Sequence, residues 1–187
     1  MNVMRAPLIR TAEVLDFWFK EHGPKDWFAK NPEFDAKIRS RFSALHAAAG
    51  RGELDDWAET ATGALALIVI LDQFSRNLYR DNAKAFALDA RALRFAKRAV
   101  EKGFHKNLDQ RERPFMFLPF EHSEDPRDQE LSIEYYAELG DKSLLEWAEK
   151  HKAIIDRFGR YPHRNAVLGR ASTPEEMAFL AGPGSSF

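Results

Sequence analysis

An all-α fold without a sheet is predicted by three observations. Valine, isoleucine and threonine together number 16, whereas alanine and leucine together number 44; strands favour the first set and helices the second. Apolar residues recur at helical spacing, as in Phe34, Ile38, Phe42 and Leu45. Start and stop residues divide the chain into about eight helices with short connections. Fifteen phenylalanines supply the large buried groups that an Ala/Leu core lacks.

Taken in order, Thr11 opens the first helix, which runs to about Glu21 and stops before Gly23-Pro24. Asn31 and Pro32 form a cap and first-turn pair for a second helix that stops at Gly50. These two are expected to pack as a hairpin. A short helical turn around Leu54 to Ala58 leads into a helix from Thr62 to Tyr79 whose middle is apolar on every face, which marks it as central. The next helix is expected from Lys84 to Lys102, with Gly103 as its stop. Between Asp109 and His122 two prolines, Pro114 and Pro119, interrupt an aromatic run, so a kinked helix or two short ones are expected. Asp125-Pro126, Asp141 and Thr173-Pro174 cap the last three helices, with Gly140, Gly159 and Gly182 behind them.

Such short connections set neighbouring helices antiparallel, and the stretch Tyr135 to Ala148 resembles the inter-helix turn of a tetratricopeptide repeat. The expected architecture is therefore antiparallel helix pairs stacked in a tetratricopeptide-like α/α superhelix. One domain over residues 1–187 is expected, with an ordered core over 11–182 and a mobile tail at 183–187.

Composition narrows the function classes. Without cysteine there is no disulfide and no thiolate chemistry. A net charge of -1 removes the broad attraction on which non-specific nucleic-acid binding depends. The longest apolar run, Ala64 to Leu71, is far short of a bilayer span, and residues 1–10 lack the apolar stretch of a secretion signal. A soluble, cytoplasmic protein is expected, with no nucleic-acid or membrane partner; its oligomeric state stays open. The sequence carries no Gly-x-Ser-x-Gly, no glycine-rich phosphate loop and no His-x-x-x-His pair, and neither a cofactor nor a metal site is expected.

The charged groups that remain fall into two motifs. Leu71 to Arg76 and Ile155 to Arg160 share the pattern apolar-Asp-x-Phe-x-Arg, each at the end of an apolar helical run. Ionised groups there are costly unless paired. Asp72 and Arg76 sit four apart on a helix face that is apolar one turn earlier, the arrangement of an intrahelical ion pair; alternatively Arg76, Asn77 and Arg80 grip a carboxylate or phosphate. The second motif continues through Arg160, His163, Arg164, Asn165 and Arg170. Residues 157–170 carry four arginines and no acid, whereas positions 121–130 carry five acids and one arginine. The two segments are complementary, so docking of one on the other competes with capture of an anionic ligand. His122 and His163 are the acid-base candidates, His151 reads as a core histidine, and Glu124 completes the candidate ligand set. The basic stripe Arg91, Arg94, Arg98 and Lys102 is a solvated face or a site for an acidic partner.

Leu71 to Arg80, Phe115 to Asp125 and Phe158 to Glu176, in that order, resemble the domain-of-unknown-function family 924, over about Thr11 to Gly182. The resemblance implies a tetratricopeptide-like all-helical fold, found in bacteria and plants, and no particular reaction. The chain departs from the family pattern at Ser75, where proline is expected, which bears on the local helix ending. Three functional readings are open: a binding or scaffold protein with an arginine-rich pocket or groove for an anionic ligand, peptide or protein partner; an enzyme acting on a small phosphate or carboxylate substrate; or charged motifs that serve the fold alone.

Overall fold

In the computed structural model, which describes residues 5–185, every regular element is helical and no strand occurs among the described residues. The chain divides into two compact units. One comprises the residues up to Arg80 together with Lys84–Pro119; the other comprises Asp81–Ala83 and the residues from Phe120 onward.

The first unit is built around α4 (Ala61–Ile68), which continues as a π-helical turn (Val69–Phe74) and ends as α5 (Ser75–Leu78). Thr60 caps its start by accepting a hydrogen bond from the Gly63 N–H. Gly63 is required there, because a Cβ would lie 2.1 Å from the Trp57 carbonyl oxygen. From Ala64 to Leu71 every side chain is buried, as an element apolar on all faces must be. Around it lie α1 (Arg5–Asp16) with its own π-helical turn (Phe17–Glu21), α2 (Pro24–Trp27), α3 (Pro32–Arg51) and α6 (Asp89–Glu101). The two π turns meet: Phe17 and Trp18 of one stand 6.2 and 5.7 Å from Phe74 of the other, with Phe34 and Phe42 filling the space between helices.

Several predicted boundaries move. The chain is already helical at Arg5, and Thr11 is a buried residue inside α1 instead of its cap. The helix from Pro32 runs past Gly50 to Arg51 and ends on Gly52, whose φ of 85° suits glycine and frees its N–H for the Ala48 and Ala49 carbonyls. Residues 83–88 form a 3-10 turn and bends, so α6 starts at Asp89 and not at Lys84. Asp109 to His122 yields one helix, α7 (Arg113–Glu121), with Pro114 in its first turn and Pro119 inside it. The chain passes from the first unit to the second within α7, at Pro119–Phe120.

In the second unit α8 (Pro126–Glu138) and α9 (Lys142–Phe158) pack along each other, joined by three residues, and so run antiparallel. Each cap is the predicted one: Asp125 accepts from Arg127 N–H, Asp141 from the Ser143 and Leu144 N–H groups. Gly159 ends α9 with φ 67°, and a 3-10 turn (Pro162–Arg164) leads towards α10 (Pro174–Leu180). Thr173 and Glu176 close a reciprocal capping box on α10. Ile154, Ile155 and Tyr161 form a buried cluster here, with Phe158 and Phe179 against it. The predicted tail begins at 183; of it, Ser186 and Phe187 lie outside the described residues, and Ser185 Oγ donates to the Leu180 carbonyl.

No helix among the described residues is long and apolar enough to cross a membrane.

Candidate functional site

The predicted residues divide between the units: Asp72, Arg76, Asn77 and Arg80 lie in the first, and Glu124, Arg160, His163, Arg164, Asn165 and Arg170 in the second.

In the first unit, the π turn carries Asp72 into the interior, where its side chain is 1% exposed. Arg76 Nη1 is 3.0 Å from its carboxylate and also donates to the Asp72 carbonyl oxygen at 2.9 Å. The same guanidinium grips Asp89 of α6 with both terminal nitrogens, at 3.0 and 3.1 Å, and lies over the Phe86 ring. One turn later Arg80 grips Asp35 of α3 through Nε and Nη2, at 2.5 and 2.9 Å, and Asn77 Nδ2 donates to the same carboxylate. The intrahelical pair was legible in sequence; Asp35 and Asp89, 45 and 13 positions away, were not. Ser75 Oγ donates to the Leu71 carbonyl and sits 2.8 Å from His46 Nε2, so the residue standing where proline was expected makes two buried polar contacts. Burial holds His46 below its ordinary imidazole range.

In the second unit the arginine segment meets the acidic one through Arg170, one of the two uses that the charge pattern left open. Arg170 makes a fork-to-fork pair with Glu124, at 2.8 and 3.1 Å, and also donates to the Tyr161 carbonyl. Tyr161 N–H donates to Glu124 as well. Burial of Glu124 would raise its pKa, but the Arg170 and Tyr161 donors outweigh that and hold it below the usual carboxylate range. Asn165 accepts from Arg170 Nε and donates to Ser172. Arg160 turns instead to α10, where Nε and Nη2 grip Glu176 at 2.6 and 2.8 Å. That guanidinium, with the Thr173 N–H, lowers the Glu176 carboxyl to about 2.

Behind this frame lies a polar centre whose full extent the sequence did not reveal. Tyr161 is fully buried; its hydroxyl donates to the Glu121 carbonyl at 2.5 Å and accepts from Gln129 Nε2 at 3.0 Å. His151 Nδ1 lies 2.9 Å from the Trp147 carbonyl and 3.4 Å from the buried Glu121 carboxylate, contacts that favour the tautomer with its proton on Nδ1. Burial, together with charge at His122, His163 and Arg164, lowers His151 to about 3. The ring of His122 is 6.5 Å from that of His151, and His163 is 5.5 Å from Tyr161. Arg164 lies over the Tyr161 ring at 4.6 Å and donates to the His122 carbonyl. His122 and His163 are half-buried, at the solvent side of this group. Gln129 and Tyr161 escaped the sequence reading because they sit within apolar or cap-like stretches, and Glu121 entered it only as one of the acids of 121–130. A usable signal was the polar pair Gln129 and Ser132, three apart and both buried, on a helix that carries buried Tyr136 one turn later.

The His122 to Asp125 run is accounted for by local partners: Ser123 bonds to Asp128, Glu124 to Arg170, and Asp125 caps α8. Among the described residues, no three His, Asp or Glu side chains are grouped to hold a metal ion.

The family model for a bacterial protein of unknown function (DUF924) matches residues 14–184. The chain belongs to this family. A solved structure, the protein of unknown function ATU0120 from Agrobacterium tumefaciens, is similar: identity is 42%, the match covers 92% of this chain and 97% of that one, and the TM-score is 0.89. Among curated proteins none matches. Family membership thus supplies the fold and no established activity, and any role for the polar centre of this family member rests on its chemistry.

Proposed function

We propose that the protein binds a small anion, a phosphate or carboxylate that is free or carried on a peptide, at His122, His163 and Arg164 of the second unit. The observation that carries this reading is the grouping of three imidazoles and one guanidinium: His151, His163 and Arg164 lie 4.6 to 5.8 Å from the Tyr161 ring, and His122 lies 6.5 Å from His151. Arg76, Arg80, Arg160 and Arg170 contribute differently. Each forks onto a carboxylate of the chain itself, which supports a framework role for them. Guanidinium and imidazole donors beside an aromatic face suit the oxygens of a phosphate or carboxylate.

The test is a thermal-shift series with inorganic phosphate, phosphoserine and succinate, paired with imidazole NMR of His122 and His163. Stabilisation by at least one anion is expected, with movement of both imidazole signals and loss of the shift in His163→Ala. An unmoved melting temperature and unmoved imidazole signals at millimolar anion would sink the reading.

A second reading, an enzyme acting on a small anion with His122 or His163 as acid-base group, is supported by the incomplete burial of both residues in the same unit as buried Glu121 and His151. It requires turnover of a bound phosphate or carboxylate ester. It fails if hydrolysis of such esters is the same in wild type and His122→Ala.

A further inference from the structure

Two surface patches, one in each unit, carry opposite charge. In the first unit, Ala90, Leu93, Arg94, Lys97, Arg98 and Glu101 form one stripe of α6 beside a depression of about 450 Å³. Their spacing of three and four residues makes the stripe a single helix face with a small apolar centre and a basic rim. Arg98 is engaged with Glu59, and Arg94 lies over the Phe95 ring.

In the second unit the outer faces of α8 and α9 line a groove of about 510 Å³. Half-buried Ile133 and exposed Ala153 are its apolar lining residues, and Glu130, Glu134, Glu149 and Asp156 its acidic ones. Lys152, the single cation there, bonds to both oxygens of Asp156, so the acidic excess is carried by Glu130, Glu134 and Glu149. A shallow groove across two helices, with apolar and acidic lining residues side by side, suits the face of one amphipathic basic helix.

We infer that the occupant is α6 of a second copy of this chain, giving a head-to-tail contact in which Leu93 faces Ile133 and Ala153 while Arg94 and Lys97 meet Glu130, Glu134 and Glu149. Because the two faces differ, the contact is heterologous: it closes into a symmetric ring or dimer, or it extends. Its attraction is between partly exposed charges and weakens with salt.

Analytical ultracentrifugation of the full chain at low and high salt tests this. Self-association is expected at low ionic strength, weaker in about 0.5 M salt, and weaker by roughly tenfold or more in either Glu130→Lys/Glu134→Lys or Arg94→Glu/Lys97→Glu. Mixing those two variants restores association, since the reversed groove of one then faces the reversed helix of the other. Melting curves establish that each variant is folded. A monomer under every condition, a dimer indifferent to both reversals, or variants that associate no better mixed than alone would overturn the inference.

Discussion

The two copies of apolar-Asp-x-Phe-x-Arg look equivalent in sequence and are opposites in the fold. In the first, Asp72 is buried, its partner Arg76 reaches it across one turn, and Phe74 stands in the aromatic core. In the second, Asp156 is 51% exposed and bonds backwards to Lys152, while Arg160 passes it by and grips Glu176 sixteen residues on. Phe158 is only partly buried, against Phe179. What separates them is the element that carries each. The first motif lies in a π turn of a helix buried on all faces, where charge has to be neutralised on the spot. The second ends an amphipathic helix at Gly159, where water serves Asp156 and the chain is free to turn.

That contrast makes graded predictions. Asp72→Ala removes one partner of a buried pair and is expected to cost about 3 kcal/mol in urea unfolding; a loss below about 1 kcal/mol would put Asp72 in the same class as a surface acid.

His151 supplies the next effect. Its neutral form is favoured in the fold, with a pKa of about 3, while the unfolded chain protonates near the ordinary value of about 6.5. Stability is therefore intact above about pH 6.5 and falls as pH drops towards 3, by up to about 1.4 kcal/mol per pH unit from this group. Unfolding followed from neutral pH down into the acid range should show that slope in the wild type and a shallower one in His151→Gln. Equal slopes would mean that the buried imidazole is indifferent to its charge.

The Arg160–Glu176 contact sharpens the second motif. Glu176 titrates near 2 in the fold, below an ordinary glutamate, so its contribution is complete above about pH 4.3 and disappears as pH falls towards 2. Amide exchange in α10 is expected to speed up over that window and, at neutral pH, in Arg160→Ala. Protection that ignores both changes would detach α10 from the motif. The smallest effect belongs to Asp156→Ala, expected to change stability by no more than about 0.5 kcal/mol because its pair with Lys152 is exposed. A cost comparable to that of Asp72→Ala would restore the equivalence that the sequence suggests.

Much of the fold was legible because its punctuation is local. Asn31-Pro32, Asp125-Pro126, Asp141 and Thr173-Pro174 each put a capping oxygen within two or three residues of the N–H groups it satisfies. Thr11 misled because a threonine inside a helix and one before it look alike until burial is known. Pro119 left one helix or two open, and the chain takes one helix with the proline inside it. At the candidate site the cations were readable and their partners were not. The charge imbalance of 121–130 against 157–170 allowed for docking without naming partners; Arg170 meets Glu124, while Arg157 and Arg160 turn to Glu175 and Glu176. Single acids such as Asp35, Asp89 and Glu176 gave no sign of their role, since each acquires it only when another helix arrives.

The π turn at Val69–Phe74 also sets the phase of the helix beyond it. A π turn holds one residue more than the α turn it replaces, so everything from Ser75 onward stands about 100° behind where an uninterrupted α-helix of the same residues would set it. Arg76, Asn77 and Arg80 meet Asp89 and Asp35 at that phase. Narrowing this stretch to plain α turns at unchanged length would remove little buried area, yet it would swing three donors off two acceptors together. The wide turn takes up one residue of slack, and the ion pairs of α5 depend on its staying wide.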